Sequence, residues 1–237
     1  MAMQQSILLA FDHYTTVLVG ILPFLWQGFY ETLKVSFVAI IAGSLLGFLI
    51  GVIRSERVPV IDKILWCYIH LLRGTPFLVQ LYVFYFVMPN LNIELLKWSS
   101  TTAAFVALAV YTSSYVAEIV TSAIATVPQG QWDASTALGF TRLKTLRLII
   151  LPQAFKLMIP PMSGVYVMII KSTAILSVVG ITELTRQGEI AILRYPRDIL
   201  FIYSVIAFMY FIYCYPVLRF ARWTERKLGI AKVTELD

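Results

Sequence analysis

The chain has 237 residues, of which 59% are hydrophobic and 14% charged, and its formal net charge is +6. Its mean hydropathy of +0.80 excludes an ordinary soluble domain and is typical of an integral membrane protein. The Lys and Arg residues fall between apolar runs rather than clustering with exposed aromatic residues, so nucleic acid is not an expected partner. Cys67 and Cys214 both lie inside apolar runs and form neither a metal-ligand spacing nor a disulfide framework.

The first apolar region is interrupted before it becomes long enough to cross a membrane. Residues 17–30 contain Pro23 and Gly28, which predicts an interfacial helix that leads into the first span. Residues 35–53 then form a charge-free run of 19 residues. A run of this length can cross about 30 Å of hydrocarbon, so we predict the first transmembrane helix there.

Small residues recur at every fourth position of this first span, at Ala39, Gly43, Gly47 and Gly51. A smooth helix face of this kind lets a neighbouring helix approach closely. The neighbour can belong to the same chain or to a second subunit. We favour packing within the chain.

The next two apolar runs predict two further spans. The second covers residues 64–88 and is interrupted by Arg73-Gly74-Thr75-Pro76, where proline removes a backbone donor and predicts a kink. The third covers residues 101–127, contains Glu118 and ends before Pro128. Both spans therefore carry an ionisable residue within their apolar length.

The segment from Gln131 to Pro152 is the longest one between apolar runs. Gly139 is free to take the left-handed conformation that ends a short helix, and Thr141 can cap a second helix that stops near Pro152. We therefore predict a helix-turn-helix elbow outside the bilayer. Composition alone leaves two interpretations open, namely a basic connector on anionic lipid and a docking knob for a partner protein.

The remaining chain predicts two more spans and the orientation of the protein. Residues 157–181 form the predicted fourth span, residues 183–198 a polar loop, and residues 199–218 the fifth span. Outside the spans, Lys and Arg are concentrated in the loop at 54–63, the elbow and the tail, and cytoplasmic segments carry such an excess. We expect an all-α membrane protein with five transmembrane helices, its N-terminus outside and its elbow and C-terminus in the cytoplasm.

Ionisable side chains within the predicted spans are candidates for function, because each costs about 2.5–3.5 kcal/mol at the centre of a bilayer. Glu118 and Lys171 lie at depths that a lysine side chain can bridge. They either pair with each other and hold two spans together, or line a polar cavity where they meet the ammonium and the carboxylate of a zwitterion. The full set of substrate-path candidates is Glu118, Lys171, Ser172, Thr173, Gln80 and Arg73.

The elbow resembles the EAA loop of importer-type ABC transporter permeases. Asp133-Ala134-Ser135, then Gly139, then Ile149-Ile150-Leu151-Pro152 stand in that order, with Asp133 and Ser135 where family members usually have Glu and Ala. Over most of its length the chain is similar to the polar amino acid branch of these permeases. The further matching segments are Arg73-Gly74-Thr75-Pro76, Leu78-Val79-Gln80-Leu81, Tyr115-Val116-Ala117-Glu118-Ile119 and Val127-Pro128-Gln129-Gly130-Gln131.

This resemblance implies a multi-pass permease subunit of a bacterial cell membrane, with residues 1–237 as one permease domain and a coupling loop at 129–152. It implies several partners: an ATP-binding cassette ATPase dimer, a second permease subunit that is identical or paralogous, an extracytoplasmic solute-binding protein, and membrane lipid. No Gly-x-x-x-x-Gly-Lys-Ser/Thr motif occurs, so we expect no enzyme and no cofactor in this chain, with ATP and Mg on the partner ATPase. The residues implied to couple to the ATPase are Asp133, Ala134, Ser135, Gly139 and Arg142.

The function that these patterns predict is a permease subunit of an ATP-driven importer for a polar amino acid. The alternative is a stand-alone, ion-coupled secondary carrier in which Glu118 is the coupling carboxylate. Internal repeats often mark such carriers, and the five spans show none. A membrane-embedded enzyme would need a catalytic cluster, which the sequence does not contain.

Overall fold

The computed structural model describes residues 2–91 and 93–227, and every regular element within these ranges is helical. The α-helices, in chain order, are α1 Ala2–Ser55, α2 Pro59–Arg73, α3 Phe77–Tyr82, α4 Ser100–Thr126, α5 Gln129–Ala137, α6 Arg142–Thr145, α7 Leu151–Ser172, α8 Leu184–Arg194 and α9 Ile199–Lys227.

Four continuous helical stretches in the described part of the chain are long and apolar enough to cross a membrane. A fifth crossing is possible if α2 and the following stretch Phe77–Leu91 form one broken span. The predicted all-α membrane fold is thereby confirmed. The four continuous stretches are Leu8–Ser55, Ser100–Thr126, Arg142–Val179 and Ile199–Lys227.

Helix α1 is one uninterrupted helix of 54 residues, so the predicted break between an interfacial helix and the first span is wrong. Pro23 lies inside the helix. Gly28 serves a different purpose, because a Cβ there would lie 2.9 Å from the carbonyl oxygen of Glu183. The glycine therefore allows close contact with the start of α8 rather than ending α1. The first half of α1 packs on α8 and α9 through Val17 and Leu25.

The second half of α1 packs on α4 through its stripe of glycines. A Cβ on Gly47 would lie 2.6 Å from the carbonyl oxygen of Ser113, and one on Gly51 would lie 2.6 Å from Val120 Cβ. Contacts this close leave no room for a side chain. The small-residue face therefore packs within the chain, as we favoured from the sequence.

The predicted second span is broken rather than kinked. Helix α2 ends at Arg73, and its axis makes an angle of 106° with the stretch Phe77–Leu91. Pro76 lacks a backbone N–H, and the carbonyl groups at the end of α2 consequently need other partners. The turn is much sharper than the predicted kink.

The helix that follows the elbow continues through Pro152 instead of stopping there. A π-helical turn at Leu146–Ile150 comes directly before α7, and Pro152 lies in the first turn of α7, where its missing N–H costs least. After Ser172 the backbone tightens into a 3₁₀ helix, Thr173–Val179, which ends at Gly180 with a φ of 84°.

The polar segment 183–198, predicted as a loop, contains helix α8. The side chain of Glu183 caps this helix by accepting hydrogen bonds from the backbone N–H groups of Thr185 and Arg186, each at 2.8 Å. The segment is amphipathic, so mean hydropathy alone hides its helical character. Helix α9 also runs nine residues past the predicted end of the fifth span, to Lys227.

Candidate functional site

The elbow has the helix-turn-helix form that the sequence predicts. Helix α5 ends at Ala137, and Gly139 adopts the left-handed conformation with a φ of 79°. The N–H of Phe140 donates to the carbonyl oxygen of Ser135 at 3.0 Å, which closes the turn. Thr141 stands at the start of α6, but its side chain makes no capping hydrogen bond.

One face of the elbow is turned inward. Ser135 is 1% exposed, donates a hydrogen bond to the carbonyl oxygen of Trp132 at 2.7 Å, and accepts one from Thr145 Oγ1 at 2.9 Å. Ser135 thus joins α5 to α6. In the isolated chain, the Ser135 side chain is not available to a partner protein.

The other face of the elbow carries exposed apolar and small residues. Leu138 is 76% exposed and Leu143 is 74% exposed. Asp133, Ala134 and Gly139 lie on the surface beside them. We call these five residues the knob. Two leucines this exposed, next to small residues that permit close approach, are typical of a surface that packs against another protein.

Arg142 attaches the elbow to the end of α1. Its Nε donates to Glu56 Oε2 at 2.6 Å, and its guanidinium lies over the Trp132 ring, 4.8 Å from the centroid. Since the arginine and the glutamate are both partly exposed, the ion pair itself adds little to the free energy of folding. It nevertheless links the elbow to the residue that follows α1.

Glu118 does not pair with Lys171 in this structure, so the first of the two alternatives, a direct ion pair between them, is wrong here. Arg54 Nη1 donates to Glu118 Oε2 at 2.7 Å, and Arg73 Nη1 lies 3.6 Å from the same oxygen. Arg54 also donates through Nε to Asp62 Oδ1 at 3.3 Å. The carboxylate of Glu118 is therefore balanced by two guanidinium groups.

A polar cavity of about 650 Å³ lies beside this ion-pair cluster, at the elbow end of the bundle. It is lined by Arg54, Arg57 and Arg142 and by Gln129 and Trp132 of α5. It connects the elbow with the ends of α1 and α4. The cluster and the elbow therefore form one continuous site.

Lys171 lies in a different place, between α7 and α9. It lines a cavity of about 530 Å³ together with Tyr210 and Tyr215, and the walls are mostly apolar. No acidic side chain of the described residues comes within 4 Å of its ammonium group. The neighbouring hydroxyl groups of Ser172 and Thr173 donate to carbonyl oxygens of their own helix, at 2.9 and 2.7 Å.

Gln80 closes the break in the second span. It is almost completely buried, and its Nε2 donates to the carbonyl oxygens of Leu72 at 2.6 Å and Thr75 at 3.1 Å. These are carbonyl groups that the broken helix leaves without partners. The amide of Gln80 therefore holds the break in shape, while Arg73 at the same break faces Glu118.

A buried carboxyl group at the opposite end of the bundle was missed by sequence reasoning. Glu183 accepts a hydrogen bond from Tyr210 Oη at 3.1 Å, in addition to the two from backbone N–H groups. Burial raises the pKa of Glu183, and the backbone hydrogen bonds lower it by less. An acidic residue directly before a short amphipathic segment was the available signal for this cap.

Arg54 and Glu56 were also missed, because both fall in a segment predicted as a short polar loop. Arg54 is in fact within the last turn of α1 and only 13% exposed. Its spacing of three residues from Gly51 places it on the face that packs on α4, which was the available signal. Within the described ranges, no group of His, Cys, Asp and Glu side chains could hold a metal ion.

Comparison with known proteins identifies relatives over most of the chain. Residues 39–230 match the family described as "Binding-protein-dependent transport system inner membrane component". An L-cystine transport system permease protein of Bacillus subtilis (strain 168) is 34% identical over 206 residues, which cover 87% of each chain. A glutamine transport system permease protein of Escherichia coli (strain K12) is 33% identical over 209 residues, covering 88% of this chain and 94% of the relative.

Solved structures show the same fold. A chain in the crystal structure of an amino acid ABC transporter with histidines superposes on this chain with a TM-score of 0.79 and a sequence identity of 33%. The match covers 89% of this chain and 96% of the other. An inward-facing methionine ABC transporter matches with a TM-score of 0.70 over 86% and 98% of the two chains. At 20% identity, that second match supports the fold alone.

Proposed function

Because the chain belongs to the family of binding-protein-dependent transport system inner membrane components, as an amino-acid ABC transporter permease of the bacterial inner membrane, we propose that it is the permease subunit of an ATP-driven importer for a polar amino acid. It forms part of the translocation path and receives work from a cytoplasmic ATPase. ATP and Mg act on that ATPase.

The observation that carries this proposal is the knob. Its two leucines are among the most exposed apolar side chains of the described chain, and they lie on either side of the turn that Gly139 forms between α5 and α6. A fixed apolar projection suits a groove on a rigid partner. A connector lying on lipid would instead be expected to show a long, continuous apolar face.

The orientation belongs to the proposal as well. We place the elbow and the C-terminus in the cytoplasm, where a nucleotide-driven subunit can reach the knob, and the N-terminus outside. An ATP-binding cassette ATPase dimer, a second permease subunit and an extracytoplasmic solute-binding protein complete the transporter. The excess of Lys and Arg on the elbow side supports this orientation.

Lys171 is the side chain that we assign to the carboxylate of the transported amino acid. Its cavity of about 530 Å³ is large enough for an amino acid, and no acid of the described chain neutralises its ammonium. A polar amino acid agrees with the named substrates of the relatives, cystine and glutamine. Glu118 holds two arginines in this structure, so its part in the path is to position them.

Reconstitution tests the proposal. The permease should co-purify with its ATPase, and proteoliposomes containing both should take up an amino acid only with ATP and the loaded solute-binding protein. Glutamine, cystine and histidine are the substrates to try first. Uptake driven by an ion gradient without any ATPase would contradict the proposal and support the secondary carrier.

A further inference from the structure

The elbow is joined to α1 by a contact that crosses 86 residues of sequence, the hydrogen bond from Arg142 Nε to Glu56 Oε2. Arg142 is held on the elbow by its position over the Trp132 ring. A displacement of the elbow therefore acts on Glu56 directly. The remaining contacts of the elbow with the bundle are largely apolar, through residues such as Leu146 and Ile150.

Glu56 and Arg54 occupy the same turn at the end of α1. The N–H of Glu56 donates to the carbonyl oxygen of Ile53 at 3.2 Å, and the N–H of Arg57 donates to that of Arg54 at 3.1 Å. These backbone bonds make the turn one local unit. A movement of Glu56 is consequently a movement of Arg54.

Arg54 in turn contacts two other helices. It reaches Asp62 on α2 at 3.3 Å and Glu118 on α4 at 2.7 Å. Glu118 also lies 3.6 Å from Arg73, the last residue before the break in the second span. A chain of alternating charges thus runs from the elbow to that break.

Two parts of the helix bundle meet along this chain of charges. Helices α1 and α4 are locked together by glycine contacts, whereas α2 and α3 meet at the 106° break beside them. The first ion pair links the elbow to the α1/α4 unit, and the pairs around Arg54 link that unit to α2. An ion pair can favour one conformation of the transporter over another only if its strength differs between the two conformations.

We propose that Arg54 and Glu56 are positioning residues that transmit movement of the elbow to the break in the second span, an inference that rests on the proposed function. The ion pairs transmit the movement, and the apolar contacts of the elbow hold it in place. Neither residue contacts the transported amino acid.

Exchanging the charges of Arg142 and Glu56 tests the ion pair between the elbow and the end of α1. Arg142→Glu places two carboxylates together, and the amount of substrate carried per ATP hydrolysed should fall about 5-fold or more, the range of a typical coupling free energy. Glu56→Arg should have the same effect. The double variant E56R/R142E restores opposite charges, and its ratio should return to within about 2-fold of the original.

Arg54→Lys tests the contacts that Arg54 makes with Asp62 and Glu118. A lysine keeps the charge but has only one side-chain nitrogen, so it cannot reach Asp62 and Glu118 through separate nitrogen atoms. The transport ratio, meaning the amount of substrate carried per ATP hydrolysed, should fall although the charge of the site is unchanged. Glu56→Gln serves where the charge-reversed variants assemble poorly, and it should lower the ratio in the same direction.

A matched control is the exposed pair of Arg186 and Glu189 on α8, whose atoms lie 2.8 Å apart. Exchanging these charges should leave the transport ratio unchanged. Normal ratios in the single variants, or no recovery in E56R/R142E, would overturn the inference while leaving the proposed function intact. If no ATPase associates with the unaltered protein, the proposed function itself fails.

Discussion

The guanidinium of Arg54 donates a 2.7 Å hydrogen bond to the carboxylate of Glu118, and this contact joins the end of α1 to the C-terminal half of α4. It resolves how an acid is tolerated within an apolar helix. Arg54 is only 13% exposed, and the charge of each partner is compensated by the other. The pair lies at the centre of the network that connects the elbow to the second span.

Glu118→Gln should destabilise the protein by about 1–2 kcal/mol, because the substitution leaves Arg54 with only its longer contact to Asp62. Chemical unfolding in detergent, followed by circular dichroism, measures this change. The double variant E118Q/R54Q should lose less free energy of unfolding than the sum of the losses in the two single variants. Strict additivity of the two would show that the side chains do not interact in solution.

Gly47→Ala should destabilise the protein by about 1–3 kcal/mol, because the new Cβ would lie 2.6 Å from the Ser113 carbonyl oxygen. Gly164→Ala is the matched control. It is also a helical glycine, but nothing lies within 4 Å of its added Cβ, so the substitution should be neutral or stabilising by up to about 1 kcal/mol. Equal effects of the two substitutions on thermal unfolding would contradict the close packing of α1 on α4.

Gly139 separates a folding effect from a docking effect. Its φ of 79° should make Gly139→Ala cost about 1–2 kcal/mol locally, and Gly139→Asn less, because asparagine tolerates this conformation better. No neighbour lies within 4 Å of an added Cβ. Gly139→Leu should therefore fold as well as Gly139→Ala but bind the ATPase more weakly, which co-purification measures. Equal ATPase binding by the two variants would show that Gly139 lies outside the interface.

Glu183 should make the stability of the protein depend on pH. Its pKa lies above the ordinary value of 4.5 because of burial, so folding favours the protonated carboxyl group. This contribution is fully present below pH 4.5 and is lost as the pH rises through the pKa of the folded state. Glu183→Gln lacks the titration, and its stability relative to the unaltered protein should rise with pH. A constant difference in melting temperature between about pH 4 and pH 8 would contradict this assignment.

Much of the helical framework could be predicted because the chain marks it locally. Pro128 follows α4 as the sequence predicts, and Gly139 ends the first elbow helix because only a residue that tolerates positive φ fits there. Helix α8 was missed for the opposite reason. Its polar residues lower the mean hydropathy, and the cap that starts it is a buried glutamate rather than an exposed one.

The partners of the charged residues could not be predicted in the same way. Depth along a helix suggested Lys171 for Glu118, but depth does not tell which face of α4 the carboxylate occupies. Arg54 stands 64 residues earlier in the sequence and reaches Glu118 only because the glycines of α1 bring the two helices into contact. Ion-pair choice depends on such helix packing, which a single sequence does not specify.

The proposed function is tested most directly by finding the side of the membrane on which the knob lies. Leu138→Cys and, as a control at the opposite end, Leu193→Cys are introduced separately into a variant with Cys67 and Cys214 replaced by serine. A membrane-impermeant maleimide should label Leu138→Cys only in inverted vesicles and Leu193→Cys only in right-side-out vesicles. Assembly with the ATPase should protect Leu138→Cys from labelling. Labelling of Leu138→Cys from the outside, or no protection by the ATPase, would contradict the account.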